Sequence, residues 1–155
     1  MHRNEHAVTI DAPREDVFRW LTEPELMQRW IGGLEEFEPL DPGPAEGSRS
    51  RQVLRIKGQR FELDSVITAF DPPAGLDVHV EHRGFDSTST YRLEEHGGHT
   101  HLAATIETRY KLFANRLVGR LVTREGQKKL VADLARLKEL LERRSPDAHR
   151  TDTNL

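Results

Sequence analysis

Two hydrophobic periods divide the chain. Residues His6 to Ile10 alternate, with Val8 and Ile10 on one side, and predict a short strand. Asp11-Ala12-Pro13 follows, a capping-type residue and a proline whose missing N–H costs nothing in a first helical turn. Val17, Trp20 and Leu21 then fall at i, i+3 and i+4, the apolar stripe of one short helix. Thr22-Glu23-Pro24 interrupts it, Leu26 and Trp30 mark a second, and Gly32-Gly33 ends that.

From Leu34 the period changes to two. Leu34 to Pro39 predicts a strand, and Asp41-Pro42-Gly43-Pro44 a surface loop. Leu54 and Ile56 share a face of the next strand, which turns at Gly58-Gln59. Phe61, Leu63, Ile67 and Ala69 line one face of a longer strand ending at Asp71-Pro72-Pro73. Leu76, Val78 and Val80 carry the alternation to Arg83-Gly84, and Phe85–Glu94 and Thr100–Tyr110 form a last pair around His96-Gly97-Gly98. Such short connections favour an antiparallel meander.

Beyond Lys111 the spacing is helical to about Arg144, a length of about 45 Å if unbroken. Val118, Val122, Leu130, Leu134, Leu137 and Leu141 make one row, while Leu117 and Leu121 lie to its side and widen the apolar arc of the first half. Gly126 between the halves marks a bend or a close backbone approach. Ser145-Pro146 predicts the helix end, and the polar residues 145–155 a disordered tail. Residues 5–144 are expected to form a single domain.

Composition narrows the function classes. Charged residues make up 32% of the chain and apolar ones 35%, a solvated surface over a modest interior. Net charge is −3 with no basic block, which argues against a nucleic-acid partner, and Arg143-Arg144 reads as favourable charge at a helix C-terminus. The absence of cysteine excludes disulfides, thiolate metal sites and a cysteine nucleophile. No apolar run approaches the roughly 20 residues of a membrane span, and the opening residues are polar, so a cytoplasmic protein is expected.

The order of elements, together with several short motifs, resembles a known superfamily. Val8-Thr9-Ile10-Asp11-Ala12-Pro13, Val17 to Pro24, Trp30, Gly47, Phe70-Asp71-Pro72-Pro73 and Tyr91-Arg92-Leu93 are similar to the SRPBCC superfamily of START-like and polyketide cyclase-like proteins. The resemblance implies an α+β helix-grip fold: a curved antiparallel β-sheet wrapped around a long C-terminal helix, with two short helices after the first strand. It also implies a cavity for a lipid, polyketide, quinone or similar apolar molecule. It supplies no universal catalytic residue.

If the apolar face of each strand points at the long helix, alternation gives the lining. It comprises Leu54 and Ile56; Phe61, Leu63, Ser65 and Ile67; Val78, Val80 and His82; Phe85, Ser87, Ser89 and Tyr91; Leu102, Ala104 and Ile106, with Leu117 and Leu121 from the helix. Small residues at Ser65, Ser87, Ser89 and Ala104 leave room, and isolated polar groups on an apolar wall suit a ligand pocket. Trp30 is read as part of the entrance or, equally, as a helix anchor; Trp20 is read as an anchor.

His82 and Tyr91 are the acid–base candidates on this face, His82 to remove a proton and Tyr91 to hold an enolate oxygen. His99 and His101, two apart on one strand face, are better read as solvated surface than as metal ligands, and no metal or cofactor is expected. Binding of a small hydrophobic molecule by a monomer or homodimer is the expected function. The alternatives are a polyketide cyclase, aromatase or dehydratase, and a protein-binding module of chaperone-activator type using the outer sheet surface.

Overall fold

Alternation between residues 34 and 110 does build an unbroken antiparallel meander. The structure is a computed structural model; it describes residues 2–111 and 116–153, with side chains for 2–111 and 123–143. Strand β1 (His2–Ile10) leads into helices α1 (Arg14–Thr22) and α2 (Pro24–Trp30). Strands β2 (Leu34–Pro39), β3 (Arg49–Ile56), β4 (Gln59–Asp71), β5 (Gly75–His82), β6 (Phe85–His96) and β7 (His99–Tyr110) follow, and helix α3 (Arg116–Thr153) closes the chain. The strands form one curved, open sheet in the order β1-β7-β6-β5-β4-β3-β2, so every neighbour but β1·β7 is joined by a hairpin or loop.

Register decides which residues face the helix. Leu93 pairs with Leu102 and Leu102 with Val8; two residues on, Tyr91 pairs with Ala104; then come Val78, Ser89, Ile106 and Asn4; then Val80, Ser87, Thr108 and His2; and last His82, Phe85 and Tyr110. These rows make up the concave face. Strand β4 joins them through Ile67 opposite Val78 and Ser65 opposite Val80. The convex face is tied by crossed ion pairs, Arg92–Asp77 (2.8 Å), Arg109–Asp86 (2.8 Å) and Lys111–Glu81 (2.7 Å).

Three expectations from the sequence need correction. Ala69 does not share the face of Ile67, because a register shift between Ile67 and Ala69 inserts one residue. Such a bulge turns every later side chain over. Phe70 takes the inward position instead, opposite Leu76, where its ring lies 5.6 Å from Phe18. Helix α3 also runs past Ser145-Pro146 to Thr153. Proline has the φ of a helix and loses one ladder bond, so the turn after it can restart as a first turn does. Arg143 therefore sits within the helix, paired with Glu139 at 2.6 Å, rather than at its C-terminus.

Gly126 marks a close approach: a Cβ there would lie 2.7 Å from the Asn4 amide nitrogen on β1. The same seam holds a Gln127 Nε2 donation to the Glu5 carbonyl at 2.9 Å. Gly33, at φ +80, lies in the turn between α2 and β2, where a side chain would strike the Arg55 carbonyl, which no L residue could avoid.

Candidate concave binding site

Filling of the concave face changes along its length. Near α1 and α2, Leu93 and Leu102 meet Leu134 and Leu137 of α3, and none is more than 2% exposed. Ile10, Val17, Trp20, Trp30, Leu76, Ala104, Leu130 and Leu141 complete that core. Toward the far end of the same strands, Val78, Val80, Phe85, Ile106, Ile67, Phe61 and Leu54 also face inward, yet all remain only half-buried. Large apolar side chains on an inward face that keep exposed surface define an apolar trough.

Rings line its far end. The His82 imidazole stacks on Phe85 (centroids 4.8 Å apart, 28° between planes), and Phe61 meets His82 edge-on at 5.5 Å and Phe85 at 6.0 Å. Tyr110 continues the row from Phe85 at 6.4 Å, and His2 from Tyr110 at 5.2 Å. The tight turn after β5 brings the Gly84 N–H to His82 Nδ1 at 3.1 Å. Beside His2, a cleft of about 540 Å³ opens at the seam of β1 and α3, lined also by Asn4, Thr123, Arg124, Gln127 and Lys128.

Polar groups interrupt the apolar wall at three places. Ser50 and Ser65 hydrogen-bond across β3 and β4, and Gln52 Nε2 donates to Ser65 at 3.0 Å. Ser87 and Thr108 pair across β6 and β7 at 3.2 Å. Tyr91 sits where trough and core meet. Burial pushes its phenol up to about 12, the nearby Asp133 carboxylate adds to the rise, and a hydrogen bond with Ser89 opposes it. Asp133 is itself buried on α3, paired with Lys129 and accepting the Gly32 N–H at 3.0 Å, which fastens the end of α2 to the long helix.

A family model described as polyketide cyclase/dehydrase and lipid transport matches residues 1–142. The chain belongs to that family. No protein of curated function matches the sequence. Among solved structures, a START superfamily protein from Mycobacterium smegmatis superposes with a TM-score of 0.78 at 15% identity, over 92% of this chain and 99% of that one. A protein from Thermus thermophilus, TTHA0849, gives 0.76 at 20% identity, with the same coverage of 92% and 99%. The di-domain ARO/CYC BexL from the BE-7585A biosynthetic pathway gives 0.71 at 20% identity, over 92% of this chain and 47% of that one. At such identities the likeness establishes the fold.

Within this polyketide cyclase/dehydrase and lipid transport fold, the residues expected from sequence separate into groups. Leu54, Phe61, Ile67, Val78, Val80, His82, Phe85, Ser87, Ser89, Tyr91 and Ile106 lie together on the trough, while Ile56, 36% exposed, stands at its rim. Leu63 and Ser65 face the trough but are buried, and Leu102 and Ala104 lie in the packed core beneath α3. Trp30 departs from the entrance reading. Only 3% of it is exposed, and its indole N–H donates to the Trp20 carbonyl at 2.8 Å, which makes it an anchor between the two short helices. Leu117 and Leu121 lie outside the residues whose side chains are described.

His99 and His101 are exposed on the convex face, 3.4 Å from Asp11 and from the Thr9 hydroxyl respectively. Among the described residues no group of three or more His, Asp or Glu is placed to hold a metal, and no helix is long and apolar enough to cross a membrane. Sequence reasoning missed Gln52 and Asp133. Gln52 was legible as the residue between Ser50 and Leu54 on one strand face. Asp133 was legible as a charge inside the apolar row of Leu130, Leu134 and Leu137, where an acid needs a partner.

Proposed function

We propose that the chain binds a small apolar molecule in the open half of its concave face, with the guest lying between the far ends of β4 to β7 and helix α3. One observation carries this reading: Val78, Val80, Ile106, Phe85 and Phe61 point inward and keep exposed surface, while the same face is sealed where Leu134 and Leu137 cover it. Covering apolar surface is worth about 25 cal/mol per Å², so the trough rewards a guest that fits it. The family's description includes lipid transport and polyketide cyclisation, and both involve apolar molecules. The convex face is crossed by ion pairs, and the exposed large apolar residues among those described (Leu40, Ile56 and Val131) are scattered over a loop, a strand end and a helix. That distribution favours the trough over the outer surface as the binding side.

Anilinonaphthalene sulfonate tests the proposal. Its fluorescence should rise on stoichiometric binding and fall when palmitate displaces it. Ser87→Trp fills the middle of the trough and should weaken both by more than about tenfold with the unfolding midpoint little changed. Absence of stoichiometric binding, or binding indifferent to Ser87→Trp, would contradict the reading.

A further inference from the structure

His82 carries a piece of information that the trough's shape alone does not. A backbone N–H can only donate, so the Gly84 N–H at 3.1 Å requires a lone pair on His82 Nδ1. A neutral imidazole has one N–H, and the contact therefore places it on Nε2. Among the described residues Nε2 meets no protein acceptor. The nitrogen suited to accept a proton is already occupied by the backbone, and the one facing no partner is a donor. That is the reverse of the base role the sequence suggests for His82.

The surroundings say what this donor can serve. One face of the imidazole is stacked on Phe85, and Phe61 meets it edge-on, so the end of the trough is a ring-lined recess with the His82 imidazole in its wall. A guest covering that recess removes the N–H from water. A hydrocarbon chain would leave the donor stranded, at the cost of a lost hydrogen bond, whereas an oxygen acceptor satisfies it. Phe and His rings favour offset or edge contacts with another planar ring over a flexible chain. Tyr91, six residues along β6, is about 20 Å away and beyond reach of the same three-ring body.

We propose that His82 acts as a neutral hydrogen-bond donor, offering Nε2–H to the carbonyl or phenolic oxygen of a flat, ring-bearing guest seated on the Phe61–His82–Phe85 cluster. The proposal rests on the trough being a binding site, and it makes His82 a specificity determinant within that site rather than a proton acceptor.

Three probes separate the possibilities: anthraquinone sulfonate, anthracene sulfonate of the same shape and charge without ring carbonyls, and palmitate. The protein should bind anthraquinone sulfonate about tenfold more tightly than anthracene sulfonate, the worth of one hydrogen bond from a desolvated donor. His82→Phe keeps the stack and removes the donor; it should bring that ratio close to one while anthracene sulfonate still binds. Heteronuclear NMR of the imidazole nitrogens in the unaltered protein should find the proton on Nε2 and needs no variant. Equal affinity for the two ring probes, a preference that survives in His82→Phe, or a proton on Nδ1 would overturn the proposal. Palmitate bound while both ring probes fail would overturn it and leave the trough standing. Failure of all three probes would remove the trough and this inference together.

Discussion

The two ends of the concave face are built from the same strands with the same alternation, and they differ in what covers them. At one end Leu93 and Leu102 lie under Leu134 and Leu137 and are sealed. At the other, Val80, Phe85 and Ile106 face the same way and stay half-exposed. Two consecutive short helices contribute to the difference: Val17, Phe18, Trp20 and Trp30 plug one end of the sheet, and among the described residues no helix pair plugs the other. Inward-facing position alone therefore does not make a core residue. A third element has to close over it.

The strongest way to break that comparison is to remove volume from each end. Leu134→Ala leaves a cavity in the sealed end and should lower the unfolding free energy by about 2–5 kcal/mol in a urea titration. Val80→Ala should cost under about 1 kcal/mol, since Val80 is itself only half-buried. Equal losses would mean that the two ends are packed alike.

Asp133 is the charge at their boundary. Asp133→Ala strands the Gly32 N–H and frees Lys129, and should cost about 1–3 kcal/mol in the same titration. Thr100, fully buried, donates to the Ala12 carbonyl at 2.7 Å and pins the start of α1 to β7. Thr100→Val, measured likewise, should cost about 1 kcal/mol.

The smallest effect is a shift with pH. Both tyrosines of the chain, Tyr91 and Tyr110, face the trough, and burial raises the phenol of each. For Tyr91 the folded value is about 12 against an ordinary 10.0, so the folded state keeps a proton that the unfolded chain releases first. Stability from this group is complete below pH 10 and declines as pH climbs toward 12. Phenolate absorbance should accordingly rise later than for free tyrosine. Asp133→Asn should bring Tyr91 part of the way back, because burial remains the larger cause.

Most of the fold was legible because period-two and period-3.6 patterns change cleanly at Leu34 and again after Lys111. The facing of β5, β6 and β7 followed directly from alternation, since their ladders carry no register shift. Strand β4 misled at one residue. Its bulge after Ile67 leaves no composition signal at Thr68-Ala69, and only the pairing with β5 discloses that Phe70, not Ala69, turns inward. Trp30 stayed open for a different reason. A tryptophan can anchor a helix or rim a pocket at the same sequence spacing, and the choice depended on the Trp20 carbonyl being within reach of its indole. Gln52 and Asp133 were visible as breaks in apolar rows, yet their partners lie on other elements: Ser65 on β4 and Gly32 after α2. The neutral-donor reading of His82 was out of reach of the sequence, because it depends on a backbone N–H two residues away folding back onto Nδ1.

The most direct measurement is a methyl NMR titration of the protein with palmitate. One equivalent should shift the methyl resonances of Val78, Val80 and Ile106 and leave those of Leu134 and Leu137 in place. Shifts confined to Leu134 and Leu137, or no shift in either set at saturating palmitate, would contradict an open trough beside a sealed core.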